Sequence, residues 1–109
     1  MMVRLKGSEM FEVKSRVNGN EMLIELIGQL DTGAAAKLDA EVRPHLDVPR
    51  DVIFDASKLV YISSSGLRIL LAAKKAMDFA GGTMKVINTP APVRSIFDVT
   101  GFSDILDIE

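Results

Sequence analysis

The sequence predicts one α/β domain built on a mixed sheet of four to five strands with helices packed against it. Three observations lead there. The chain has 109 residues, room for a single core. It carries a strong hairpin signal at Asn18-Gly19-Asn20, and from there on its segments alternate between strand-like and helix-like patterning. Hydrophobic residues make up 48% and charged residues 26%, the composition of a chain that folds around a core rather than one that stays disordered.

The elements follow in order. Met10 to Val17 and Glu21 to Ile27 are short runs rich in β-branched and large apolar residues, and the Asn and Gly between them tolerate the positive φ of a tight turn. Gly28 is expected to break the second strand. Asp31 and Thr32 then offer side-chain oxygens to cap a helix reaching about Leu46, with Leu38, Val42 and Leu46 on one face and Pro49 beyond its end. Asp51 to Asp55 is a dense apolar run between charged residues, which suits a central strand buried on both faces. Tyr61 and Ile62 close the loop after it. The next helix should begin in the serine cluster Ser63-Ser64-Ser65 and run to Ala80. Its stripe is Ile69, Leu70, Ala73, Met77 and Ala80, and Gly81-Gly82 stops it. Thr83 to Asn88 reads as another buried strand, Pro90 to Thr100 as a helix ended by Gly101, and Ile105 to Ile108 as a last short edge strand. The hairpin makes one pair antiparallel, while right-handed crossovers through the helices make the others parallel.

Residues 1–9 contain basic residues with no apolar core after them, so they read as a loosely ordered extension ahead of a domain at 10–109 and not as a secretion signal. Thirteen basic residues against fifteen acidic ones, with no basic run, leave nothing to neutralise several phosphates in a row, so nucleic acid is not an expected partner. The absence of cysteine rules out disulfides, thiolate metal sites and a Cys nucleophile, and fits the cytoplasm. The greasiest stretch, Ile69 to Ala73, is flanked by Arg68 and by Lys74-Lys75 and falls far short of the roughly 20 residues that span a bilayer, so no membrane insertion is expected.

An enzyme needs an activated nucleophile, an acid–base pair, a metal cluster or a phosphate cradle. The single His45 follows Pro44 near a helix end, far in sequence from the serines, and neither a G-x-S-x-G elbow nor a G-x-x-x-x-G-K-[ST] loop occurs. No catalytic residue, cofactor or metal is expected.

The stretch Asp55-Ala-Ser-Lys-Leu-Val-Tyr-Ile-Ser-Ser-Ser-Gly-Leu-Arg68 resembles the signature loop of the STAS-domain anti-sigma factor antagonists. Gly28-Gln-Leu-Asp31 is similar to that family's turn, Gly81-Gly82 to its helix stop, and Val93 through Gly101-Phe102 to its last helix and ending. The resemblance covers about residues 10 to 109. It implies the STAS fold and the function of a bacterial anti-anti-sigma factor. In that role the unphosphorylated protein binds an anti-sigma factor and so frees a sigma factor. The anti-sigma factor is a serine kinase of the histidine-kinase-like ATPase type, which switches its antagonist off by phosphorylating the serine two residues before the glycine. Aligned on Gly66, that serine is Ser64. A serine phosphatase acting on phosphorylated Ser64 would restore binding. The position before it, most often aspartate in the family, is Ser63 here, a form that recurs in a subgroup with a Tyr-Ile-Ser-Ser pattern. The partner-binding residues implied are Asp31, Ser63, Ser64, Ser65, Gly66 and Arg68.

The serines, Asp31 and Arg68 have plainer readings. A serine at such a junction caps the helix, Asp31 caps the preceding helix, and Arg68 is a solvated arginine or a partner for a phosphate or carboxylate. Asp55 reads as a strand-end residue accepting loop N–H bonds. Capping and phosphorylation are compatible, because first-turn N–H groups are unpaired and the helix dipole favours an anion there. The alternative function is that of a non-catalytic STAS subunit of a lipid-transport ATPase complex or of a stress-signalling scaffold.

Overall fold

The computed structural model describes residues 10–109; the extension expected at 1–9 lies outside the described residues. Strand β1 (Phe11–Asn18) turns through Gly19, at φ +63°, into β2 (Glu21–Leu30), and the two pair antiparallel with Val17 opposite Met22. Helix α1 (Thr32–Val42) leads to β3 (Asp51–Ile62), helix α2 (Ser64–Ala80) to β4 (Thr83–Ile87), and helix α3 (Ala91–Val99) closes the series. The sheet order is β1-β2-β3-β4, with β3 parallel to both β2 and β4.

One core holds these layers together. Met22, Ile24 and Leu26 of β2, Val52, Phe54 and Ala56 of β3, and Met84 and Val86 of β4 alternate onto a single face, where they meet Leu38 and Val42 of α1, Leu70, Ala73 and Met77 of α2, and Val93 and Phe97 of α3. Among the described residues no helix packs on the opposite face. Leu23, Glu25, Ile53, Asp55 and Lys85 are only half-buried there, so β3 is not the doubly buried strand expected from its apolar density. A parallel pair normally has both faces covered; here the helices pack on one.

Four other expectations shift. Helix α1 ends at Val42 rather than Leu46, because Pro44 follows and the chain tightens into a 3₁₀ turn at Arg43–His45. Gly28 does not end β2. It stays in the strand at φ +97°, where a Cβ would overlap the Met10 carbonyl oxygen, and pairing continues to Leu30. The loop expected between Asp55 and Ile62 is strand, paired with β2 through two register shifts that let twelve residues of β3 run beside ten of β2. The last edge strand shrinks to one parallel bridge between Ile108 and Val86, closed by Val86 N–H to Asp107 O at 2.8 Å and Glu109 N–H to Val86 O at 2.7 Å.

Candidate functional site

Topology alone brings the serine cluster and Asp31 together. Strands β2 and β3 are parallel neighbours, so the helices that leave their C-terminal ends, α1 and α2, both start at the same edge of the sheet. Leu30 pairs with Ile62, and the Ser63 N–H donates to the Leu30 carbonyl at 2.9 Å, fastening one helix entry to the other. Two helix N-termini, each with unpaired N–H groups and the positive end of its dipole, therefore point out of the molecule side by side.

Each entry carries a cap. Asp31 has extended backbone, and its Oδ1 accepts from the Ala34 N–H at 2.9 Å. Ser63 does the same for α2, its Oγ accepting from the Gly66 N–H at 3.1 Å. The capping reading thus applies to Ser63. Ser64 is the first helical residue and is exposed, and its Oγ takes part in no hydrogen bond among the described residues. Ser65 is half-buried, and its hydroxyl accepts from Arg68 Nη2 at 3.2 Å. Arg68, exposed, has no ion-pair partner among the described residues.

Gly66 is buried, and what the structure shows for it is a packing role. A Cβ there would come within 2.7 Å of Leu30 Cγ and 2.9 Å of Ile62 Cγ1, so the glycine is what lets the first turn of α2 lie close against the ends of β2 and β3.

Two residues absent from the sequence-based site stand beside it. Val60 and Tyr61 are 62% and 46% exposed near the C-terminal end of β3, between buried Leu59 and Ile62. The register shift opposite Gly28–Gln29 turns both outward, a geometry no local pattern announces.

Asp55 lies further back on β3. Burial pushes its carboxyl up, but the Ser57 N–H (2.9 Å) and hydroxyl, the Asn88 amide (3.3 Å) and the charge of Lys58 together outweigh that and hold it below the ordinary carboxylate range. It ties β3 to Asn88, the residue after β4; it accepts an N–H bond as expected, but from Ser57 within β3 and not from a loop, because the strand runs on past it. His45 sits in the 3₁₀ turn after α1, and no cluster of three metal-ligating side chains occurs among the described residues. The chemistry on display is an accessible hydroxyl in the field of two helix starts.

Comparison with known proteins agrees with this architecture. A family model described as the STAS domain matches residues 12–109. The chain is 27% identical over 96 residues to the anti-sigma-B factor antagonist of Bacillus subtilis (strain 168), covering 88% of each protein. It is 33% identical over 89 residues to BtrV of Bordetella bronchiseptica (strain ATCC BAA-588 / NCTC 13252 / RB50), which is also named for anti-sigma factor antagonism, covering 80% of this chain and 77% of that one. Among solved structures, the antagonist SpoIIAA superposes in its unphosphorylated form with a TM-score of 0.74 at 20% identity over 91% of this chain and 87% of that one. Its phosphorylated form gives 0.68 at 19% identity over 91% and 90%. At these identities the two structures show a shared fold.

Proposed function

The chain belongs to the STAS domain family, and from that premise we propose that it is a cytoplasmic anti-sigma factor antagonist switched by phosphorylation of Ser64. The observation that carries the reading is the exposed Ser64 hydroxyl on the first residue of α2, free of hydrogen bonds among the described residues, with the capping duty already taken by Ser63. The names of both curated relatives support it and favour it over the transporter-subunit role, as does the existence of SpoIIAA in phosphorylated and unphosphorylated forms.

In the unphosphorylated state the partner, an anti-sigma factor serine kinase of the histidine-kinase-like ATPase type, docks on the edge formed by Asp31, Ser63, Ser64, Ser65 and Arg68, with Gly66 supporting the turn from beneath. Val60 and Tyr61 widen that surface with apolar area. Within the complex, Ser64 Oγ attacks the γ-phosphorus of the kinase's ATP. The Oγ–P bond forms, the bond to the ADP oxygen breaks, and the hydroxyl proton passes to a base of the kinase. The product carries roughly -1.5 to -2 additional charges. The helix dipole offsets only about 0.3–1 kcal/mol at an exposed terminus, so the fold tolerates the group while a complementary partner surface does not. A serine phosphatase returns the protein to its binding form by adding water across the Oγ–P bond.

Intact-mass spectrometry after incubation with ATP and the cognate kinase tests this. The natural chain and Ser63→Ala should each gain one phosphate, Ser64→Ala none, and kinase binding should weaken once the phosphate is present. A phosphate retained in Ser64→Ala, or unchanged tight binding after transfer, refutes the assignment.

A further inference from the structure

We propose that Arg68 is an intramolecular clamp for the phosphate on Ser64, so that phosphorylation removes a cation from the partner surface as well as adding an anion to it. The inference rests on the reading of Ser64 as the phosphate acceptor and extends it to what the modified state looks like.

The geometry begins with the helix. Residues four apart lie on one face of an α-helix, about 6 Å apart along its axis, and helical side chains lean back toward the N-terminus. Arg68 stands four residues beyond Ser64 on α2. Its guanidinium already reaches back over the first turn, since Nη2 donates to Ser65 Oγ at 3.2 Å. That bond is a long one to a neutral acceptor, on an exposed side chain with no carboxylate within ion-pair distance among the described residues. Arg68 is therefore held in place by little.

A phosphate on Ser64 changes the balance. It brings three acceptor oxygens and a double negative charge to the neighbouring residue, and charge-assisted bonds to a guanidinium are about twice as strong as neutral ones. A planar fork of five donors can take two of the oxygens at once. Moving from Ser65 Oγ to those oxygens needs rotation only in the outer arginine torsions, with no change in the helix. The Ser64 and Ser65 N–H groups remain available to the same phosphate, because Ser63 Oγ accepts from the Gly66 N–H and the Ser63 carbonyl from the Leu67 N–H. Asp31, capping the adjacent helix, carries a like charge that a change at Arg68 leaves unaltered.

In the unphosphorylated protein the guanidinium is free to meet a carboxylate of the partner. In the phosphorylated protein it is occupied, and the edge turns from partly cationic to anionic.

The test installs phosphoserine at position 64 of the full chain during translation, so it needs no kinase, and follows the phosphate by ³¹P NMR from pH 4 to 9. Natural Arg68 should hold the second phosphate pKa about 0.5 pH unit below that of Arg68→Gln, a factor of about three in the dissociation constant. Arg68→Lys should recover part of the shift, and added salt should shrink it. Superimposable titrations of the natural chain and Arg68→Gln at low salt overturn the clamp. The kinase assay above stands apart: a phosphate that never reaches Ser64 from the kinase defeats the switch reading even where the NMR shift is seen, and a switch with no NMR shift defeats only the clamp.

Discussion

Ser63 and Gly66 hold the same helix start from opposite sides, and their substitutions separate folding from signalling. Ser63 supplies the oxygen that the Gly66 N–H needs. Ser63→Ala should cost about 1 kcal/mol of stability, the usual effect of losing a cap, and should leave Ser64 as a phosphate acceptor. Gly66→Ala is predicted to be worse. The new methyl meets Leu30 and Ile62, both essentially inaccessible to solvent, and overpacking of this kind costs roughly 1–3 kcal/mol. Urea denaturation of both variants checks the order, and a Gly66→Ala midpoint equal to that of the natural chain would show that α2 can lift off the sheet without penalty. The serine cluster itself was legible from the motif, but its division of labour was not. Which of three adjacent serines caps and which faces solvent depends on the backbone angles at Ser63, extended at φ −88° and ψ 171°, and these follow from the bond of its N–H to Leu30 across the sheet.

Strand β3 shows the same limit for a whole segment. Its first five residues announce themselves by apolar density, whereas the run from Ala56 to Ile62 reads as a loop, because two register shifts disrupt the alternation that marks a strand. Those shifts place Val60 and Tyr61 outward and bring Ile62 back to the core. The hairpin, the helices and the alternation of elements along the chain were legible because each rests on local periodicity and turn chemistry. That the helices pack on one face of the sheet was not, since an apolar run looks alike whether one or two layers cover it. Asp55, on the same strand, carries a pH prediction. Its carboxyl is held below the ordinary range in the folded chain, so its contribution to stability is complete above the unfolded value near ~3.9 and is lost as pH falls through the lower folded value. Thermal melts between roughly pH 5 and pH 2.5 should show a steeper loss for the natural chain than for Asp55→Asn. Parallel curves would mean that the bonds from Ser57 and Asn88 do not favour the charged form.

The partner edge proposed above lies at one end of the molecule. Both helix entries, Ser64, Arg68 and the exposed Val60–Tyr61 pair lie at the edge where β2 and β3 end, while α2 carries Phe79 to the far end of the domain. Fifteen residues of helix separate Phe79 from Ser64, about 22 Å at 1.5 Å per residue. Phe79 is 95% exposed, so replacing it with serine removes no core contact and should change stability by no more than about 0.5 kcal/mol. It also lies beyond two Debye lengths of the phosphate at physiological salt, about 8 Å each. The prediction is that Phe79→Ser takes up phosphate at the natural rate and binds the kinase with natural affinity, whereas Arg68→Gln, at the other end of the same helix, weakens that binding. Titration calorimetry with the unphosphorylated chains decides it. Weakened binding in Phe79→Ser with an unchanged melting temperature would extend the partner surface along the full length of α2, and the edge at Ser64 would then be one part of a larger interface.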